Sequence, residues 1–183
     1  MNFSKSIKVS GRLLSFDRPR VMGVMNVTKD SFYAKSRVVN EGDILNRAGE
    51  MLKEGADILD VGGYSSRPGA MEVPIKDEIG VTSHAIELIK LHFPDALISI
   101  DTFRSEVAEA AIRSGAKIVN DISGGMLDPK MVDFITANQV PYIAMHMRGN
   151  PKNMLKMTKY THIISEILFY FSQLIERLKD KGH

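Results

Sequence analysis

Residues 97–125, LISIDTFRSEVAEAAIRSGAKIVNDISGG, decide the fold of this chain. The stretch opens with a short apolar run that ends on Asp101, and a second apolar run ends on Asn120. Between them, residues 104–114 carry apolar side chains at helical spacing, and Gly115 supplies a helix stop. A strand, a helix and a strand with short connections predict a βαβ unit with parallel strands.

Because parallel strands finish at the same edge of a sheet, Asp101 and Asn120 are expected to face one solvent-filled mouth. Ligands of α/β proteins bind at this carboxyl edge. An acid beside an amide offers acceptor and donor groups suited to a flat, nitrogen-rich ring. Taken alone, Asp101 could equally cap the following helix, and Asn120 could simply turn the chain.

Length and composition predict one domain, 1–183, in a cytoplasmic protein. The 183 residues carry a formal net charge of +2, which suggests no broad surface for nucleic acid or membrane. The absence of cysteine excludes disulfides and thiolate chemistry and fits a reducing compartment. The first ten residues lack the apolar core of a signal peptide, and no apolar run approaches the roughly 20 residues of a membrane span.

The strand–helix pattern of the opening stretch recurs along the chain. A hairpin around Ser10 and Gly11 comes first, and the last helix is long and amphipathic. Five strands, each followed by a helix, are predicted at 21–25, 57–61, 97–100, 117–119 and 140–145. Their polar ends lie about 30 residues apart, and an eight-fold barrel needs about 250 residues. The pattern therefore predicts an α/β chain: either an open doubly wound sheet or a (β/α)8 TIM barrel limited to about its first five units, with an N-terminal β-hairpin.

Polar groups end every predicted strand and form a candidate site. They are Asn26, Asp60, Asp101, Asn120, Asp121, His146 and Arg148. The loop GGYSSRPG adds hydroxyls and a cation near Ser65, Ser66 and Arg67, a mixture that suits an anion. No Walker loop or GxGxxG follows a strand, which disfavours ATP and dinucleotides.

Four motifs carry a resemblance to a known family. GVMNVTKDSF, GADILDVGGYSSRPG, ISIDT…GAKIVNDISGG and MHMRGNP stand in this order and at these spacings between Val21 and Pro151. Together they resemble dihydropteroate synthase of the folate pathway, the target of sulfonamides. The resemblance implies a (β/α)8 barrel that joins p-aminobenzoate to 6-hydroxymethyl-7,8-dihydropterin pyrophosphate, with 7,8-dihydropteroate and pyrophosphate as products.

The resemblance also implies roles for residues at the matching positions. The pterin pyrophosphate would contact Asn26, Ser66, Asp101 and Asn120, and Asn26 would also lie beside Mg²⁺, the expected cofactor. The catalytic groups would be Asp30, Ser66 and Arg67. The p-aminobenzoate pocket would include Phe32, Arg67 and Pro68.

The sequence departs from the family in places. Lys29 replaces a usual Pro, and Tyr64 stands where Glu is common. The later Asp-Pro-Gly strand of the family, its pterin-contacting Lys and its Arg-x-His anion site are absent from these 183 residues. The chain alone is therefore expected to be inactive, and the full-length enzyme is expected to be a homodimer that binds small molecules only. The alternatives are a pterin-binding methyltransferase with a related barrel and a non-catalytic barrel remnant.

Overall fold

The computed structural model describes residues 5–27, 41–64 and 72–183. Two antiparallel strands come first, and parallel strands then alternate with helices. In chain order the elements are β1 (Ser6–Val9), β2 (Arg12–Ser15), β3 (Met22–Asn26), α1 (Glu41–Lys53), β4 (Ile58–Gly62), α2 (Ile75–His92), β5 (Ile98–Asp101), α3 (Ser105–Ser114), β6 (Ile118–Asp121), α4 (Lys130–Asn138), β7 (Tyr142–Ala144) and α5 (Ile163–Asp180), with a 3₁₀ turn at Met154–Lys156.

The five parallel strands follow one another in the sheet in the order in which they follow along the chain, from β3 to β7. The predicted βαβ unit is confirmed, because β5 and β6 pair in parallel and α3 connects them. A doubly wound sheet reverses its strand order at a switch point. The described strands show no such reversal, so the doubly wound alternative is wrong and the sheet has the order of successive (β/α)8 units.

One face of the sheet packs against the helices. The strands contribute Met25, Leu59, Val61, Ile98, Ile100 and Val119 to this core, all 2% exposed or less. Helix α3 ends where predicted: Gly115 has φ +125°, and a Cβ there would stand 2.9 Å from Cγ of Lys90. A side chain at this position would be strained and crowded, so the sequence needs glycine to return the chain to β6.

The hairpin of β1 and β2 closes the other face at the amino end of the strands. Val9 packs there against Ile58 and Ile118, the first residues of β4 and β6, which lie on either side of β5. Arg20 Nη1 lies 2.8 Å from Asp57 Oδ1, and Arg18 contacts the same carboxylate. The opposite, carboxyl end of this face is thereby left as the mouth of the sheet.

Two predicted elements differ from the structure. The strand predicted at 140–145 is paired only over Tyr142–Ala144. The predicted apolar face of α5 is only half covered: Leu174 is 4% exposed, while Ile164 and Leu168 are 73% and 64% exposed. Among the helices of the described ranges, none is both long and apolar enough to cross a membrane.

Candidate active site

Four neighbouring strands reach one level at the mouth, and three of them carry a polar side chain there. The strand register pairs Asn26 with Gly62, Gly62 with Asp101, and Asp101 with Asn120. Residues paired in register point to the same side of a sheet. The three side chains therefore share the face that the helices leave free, as the sequence predicted, while their roles in binding stay predictions.

Gly62 makes room in the middle of this row. A Cβ on Gly62 would stand 3.3 Å from Asp101 Oδ2 and 3.7 Å from Asn26 Oδ1. The Asn26 and Asp101 oxygens thus approach the strand between them from both sides. Sequence reasoning missed Gly62, although a glycine that ends a strand beside polar neighbours often marks close approach to backbone or ligand.

Asp101 is not a helix cap. The first amides of α3 are taken by other groups: Arg104 N donates to Thr102 Oγ1 at 3.2 Å, and Ser105 N donates to Asp128 Oδ2 at 2.7 Å. Burial raises the pKa of the half-buried Asp101 carboxyl to about 7, and repulsion from nearby carboxylates, first Asp60, adds to the shift. Both the burial and the cluster of neighbouring carboxyl groups therefore oppose ionisation of Asp101.

Asp60 lies one layer below, at 2% exposure. Its Oδ1 accepts a hydrogen bond from Ser99 Oγ at 2.6 Å, and its Oδ2 accepts one from Asn120 Nδ2 at 2.9 Å. Burial raises the pKa of Asp60, and the two donors oppose that rise. Asn120 is therefore bonded across the sheet, which disfavours the alternative that it only turns the chain.

A buried ion pair stands beside the end of β5. Glu78 of α2 is fully buried, its Oε2 lies 2.7 Å from Arg104 Nη1, and its Oε1 accepts from Thr102 Oγ1 at 2.9 Å. Burial raises the pKa of Glu78, while Thr102 and Arg104 lower it. Sequence reasoning missed this pair, because nothing in the apolar spacing of α2 shows that one polar position faces inward.

Arg104 also contacts residues that come before and after 65–71 in the chain, namely Tyr64 and Val73. Its Nη1 donates to the Val73 carbonyl at 2.7 Å, and its guanidinium carbon lies 5.1 Å from the centre of the Tyr64 ring. Tyr64 in turn meets Phe103 edge-to-face at 5.2 Å. The residues that flank 65–71 are thereby held next to the strand that ends on Asp101.

Asp121 does not join the site, although it belongs to the predicted set. It pairs with Ala144 in register, so it points to the helix side, opposite to Asn120. There it is fully buried and accepts hydrogen bonds from Ser123 N at 2.7 Å, Gly125 N at 2.9 Å and Tyr142 Oη at 2.7 Å. Its role is to hold the turn after β6.

His146 and Arg148 contact α5 and the segment that leads into it. The His146 ring meets the Tyr170 ring edge-to-face at 4.8 Å. Arg148 donates to the Lys159 carbonyl, stacks on Tyr160 with its guanidinium carbon 4.7 Å from the ring centre, and lies 3.8 Å from Glu166. These contacts hold the chain after β7.

Six of the predicted site residues lie outside the described residues: Asp30, Phe32, Ser65, Ser66, Arg67 and Pro68. Across ranges 5–27, 41–64 and 72–183, no group of three or more His, Cys, Asp or Glu side chains is placed to hold a metal ion. Asn26 does offer an exposed amide oxygen at the mouth, the donor type that Mg²⁺ prefers.

The sequence of residues 22–183, which includes this row of polar side chains, matches a family model described as pterin binding enzyme. The chain belongs to this family. Among curated relatives, the folic acid synthesis protein fol1 of Pneumocystis carinii is 42% identical over 181 residues, covering 98% of this chain and 24% of the relative. The dihydropteroate synthase of Escherichia coli K12 is 37% identical over 172 residues, covering 94% and 60%.

Solved structures agree with this assignment. The dihydropteroate synthase of Yersinia pestis, crystallised with a sulfonamide drug, superposes with a TM-score of 0.86 at 34% identity, covering 97% of this chain and 64% of that one. The Xanthomonas albilineans enzyme with 4-aminobenzoic acid gives 0.80 at 33% identity, covering 98% and 61%. The chain thus has the (β/α)8 architecture of these enzymes over less than two thirds of their length.

Proposed function

We propose that this chain is part of a dihydropteroate synthase, in which it supplies the pterin side of the active site. The observation that carries the proposal is the pair Asp101 and Asn120 on adjacent strands, with Asn120 fixed by the buried Asp60. The names of its relatives support it and favour it over a methyltransferase.

The reaction joins 6-hydroxymethyl-7,8-dihydropterin pyrophosphate to p-aminobenzoate. The bond between the pterin methylene carbon and the pyrophosphate oxygen breaks, and the amine nitrogen of p-aminobenzoate forms the new bond to that carbon and loses a proton. Pyrophosphate leaves with the electron pair of the broken bond, so positive charge develops on the methylene group and spreads into the ring.

The potential of the site suits this charge. Burial is the largest cause of the raised pKa of Asp101 and disfavours charge of either sign, but the neighbouring carboxylates that add to the shift disfavour a further negative charge and favour a positive one on a ring bound against them. Asp101 and Asn120 would hold the ring in that position by hydrogen bonds to its edge. No strong base is needed for the bond to the pyrophosphate to break.

The remaining groups are proposals from the family resemblance. Asn26 would give one oxygen ligand to Mg²⁺, which is usually held by one or two protein groups and substrate phosphates. The ion would neutralise charge on the departing pyrophosphate. Ser66 and Arg67 would contact the anion, and Asp30, Phe32 and Pro68 would complete the p-aminobenzoate side. A homodimer in the cytoplasm is likewise proposed for the full-length enzyme.

The experiment is calorimetric titration of 6-hydroxymethylpterin into the 183-residue chain. Asp101→Asn removes the charge that accepts hydrogen bonds from the ring, which costs roughly 1.5–3 kcal/mol, or about one to two decades in Kd. Asp95→Asn, an exposed aspartate in the turn before β5, is the matched control and should bind like the wild type. Equal affinity of Asp101→Asn and wild type would reject the assignment.

A further inference from the structure

Asp60 is the buried charged group of the mouth to which the proposed function assigns no step. It is the third residue of β4 and pairs in register with Ser99, one layer beneath the row that contains Asp101 and Asn120. Asp60 is only 2% exposed, so it is not one of the solvated charges of the protein surface. Burying an ionisable side chain is costly unless its partners compensate, so its contacts indicate what the chain gains from it.

Both carboxylate oxygens of Asp60 are occupied by donors. Ser99 Oγ donates to Oδ1 at 2.6 Å, and Asn120 Nδ2 donates to Oδ2 at 2.9 Å. Of these two partners, only Asn120 also stands in the row of side chains at the mouth, where it is paired with Asp101. The bond from Asn120 to Asp60 therefore links the buried layer to the site.

This bond decides which way the Asn120 amide faces. An asparagine amide has one oxygen, which accepts, and one nitrogen, which donates twice. If the amide were reversed, its oxygen would meet the Asp60 oxygen 2.9 Å away, and two acceptors at that distance repel. The amide nitrogen is therefore kept toward Asp60, which leaves the amide oxygen and the second N–H for a ligand.

We propose that Asp60 is a positioning residue that fixes the orientation of the Asn120 amide, so that Asn120 and Asp101 together select a ring edge with adjacent N–H donors. This rests on the proposed function, in which the ring is a pterin. A pterin edge carries a ring N–H beside a 2-amino group and satisfies two acceptors side by side. A 2-oxo pteridine replaces the amino donor with an acceptor and leaves one of them unmatched.

Three variants separate orientation from charge and from packing. Asp60→Leu removes the acceptor. Asp60→Asn removes the charge but keeps an acceptor for Asn120. The new amide oxygen can face Asn120 while the new amide nitrogen donates to Ser99 Oγ. Ser99→Ala breaks the other hydrogen bond of Asp60 and leaves the one from Asn120 intact, so it controls for damage to the buried layer.

The first measurement needs no ligand: hydrogen exchange of the assigned Asn120 side-chain amide by NMR in the 183-residue chain. One N–H should be protected in the wild type, in Ser99→Ala and in Asp60→Asn, and that protection should be lost in Asp60→Leu. Protection lost equally in Ser99→Ala, or unchanged in a folded Asp60→Leu, would overturn the proposal. If Asp60→Leu does not fold, loss of protection in Ser99→Ala remains the overturning result, and retention in both other variants supports it.

The second measurement compares the Kd of 6-hydroxymethylpterin with that of its 2-oxo counterpart by titration calorimetry. The wild type and Ser99→Ala should prefer the pterin by about tenfold or more, Asp60→Asn should keep most of that preference, and Asp60→Leu should lose it. Loss of the preference in Asp60→Asn with the amide still protected would show that charge, not orientation, selects the ring. If the wild type bound neither compound, the proposed function would fail, while amide protection would still decide the role of Asp60.

Discussion

At the scale of single residues, Asp101 couples function to stability through its ionisation. Its pKa in the folded chain is about 7, against an ordinary value of 3.8. A raised pKa means that the folded state keeps the proton of Asp101 up to a higher pH than the unfolded state does. The contribution of Asp101 to folding stability therefore falls as pH rises from about 4 to about 7 and stays low at higher pH.

We expect Asp101→Asn to be more thermally stable than the wild type at pH 8, with a smaller difference at pH 5. Asparagine cannot ionise, so the cost of a buried charge is removed. Each pKa unit corresponds to about 1.4 kcal/mol at most, and 1 kcal/mol to roughly 2–4 °C in a chain of this size, so the gain should be several °C. Thermal unfolding at both pH values, with Asp95→Asn as control, measures it. A lower Tm of Asp101→Asn at pH 8 would contradict the electrostatic account.

The placement of Asp101 and Asn120 was predictable because a general rule brings the carboxyl ends of parallel strands together. The exclusion of Asp121 was not, since the strand predicted at 117–119 in fact runs through Asp121, and successive residues of a strand point to opposite faces. Glu78 was not predictable either. Its burial follows from how α2 is rotated against β4 and β5, which a helical period does not specify when the inward residue is charged.

At the scale of elements, the Glu78–Arg104 pair joins α2 to the end of β5. Arg104→Met should lower the free energy of unfolding by about 3–5 kcal/mol, because Glu78 would be left buried without its charge partner. The double variant Glu78→Met with Arg104→Met removes both charges and should recover most of that loss. Urea unfolding at pH 7 gives the free energy of unfolding of the wild type, the single variant and the double variant. A double variant no more stable than the single one would mean that Arg104 acts through packing alone.

The hairpin is joined to the sheet by a different ion pair. Asp57 accepts hydrogen bonds from Val21 N, Arg20 and Arg18, and these contacts hold its pKa at about 2, below the ordinary 3.8. A lowered pKa adds stability that is fully present above about pH 4 and is lost as pH falls toward 2. Asp57→Asn should therefore lose less stability than the wild type between pH 4 and pH 2. Parallel acid-unfolding curves for the two chains would contradict this.

Helix α5 shows how far the sequence determined an element. Its length and its apolar stripe were predictable from the 3.6-residue period. The rest of the protein covers only part of this apolar stripe. Leu174 is buried, while Ile164, Leu168 and Ile175 stay exposed. A period indicates which side of a helix is apolar, but it does not indicate how much of that side a neighbour covers.

At the scale of the whole molecule, apolar side chains are exposed on both edge strands of the described five-stranded sheet. Val24 on β3 is 57% exposed and Ile143 on β7 is 38% exposed, and both lie on the side of the sheet that carries Asp101. Ile164 and Leu168 on α5 are exposed as well, at 73% and 64%. The relatives continue their barrels beyond the matched region, since the chain covers 64% of the Yersinia pestis enzyme.

These features lead to the expectation that the 183 residues alone bind a pterin ring at best and do not complete the reaction. The described site has walls from four strands, so water would reach the charge that develops on the methylene group. The anion contacts that the family resemblance places in later strands would be missing. Each missing electrostatic group typically costs on the order of 10²–10³ in rate. The decisive assay is pyrophosphate release by the purified chain with both substrates and Mg²⁺, beside the Escherichia coli enzyme as positive control. A far-ultraviolet circular dichroism spectrum typical of an α/β protein would establish that the chain is folded in the assay. Release at a rate comparable to that of the control would show that five βα units are enough for catalysis, and that the later strands contribute stability more than chemistry.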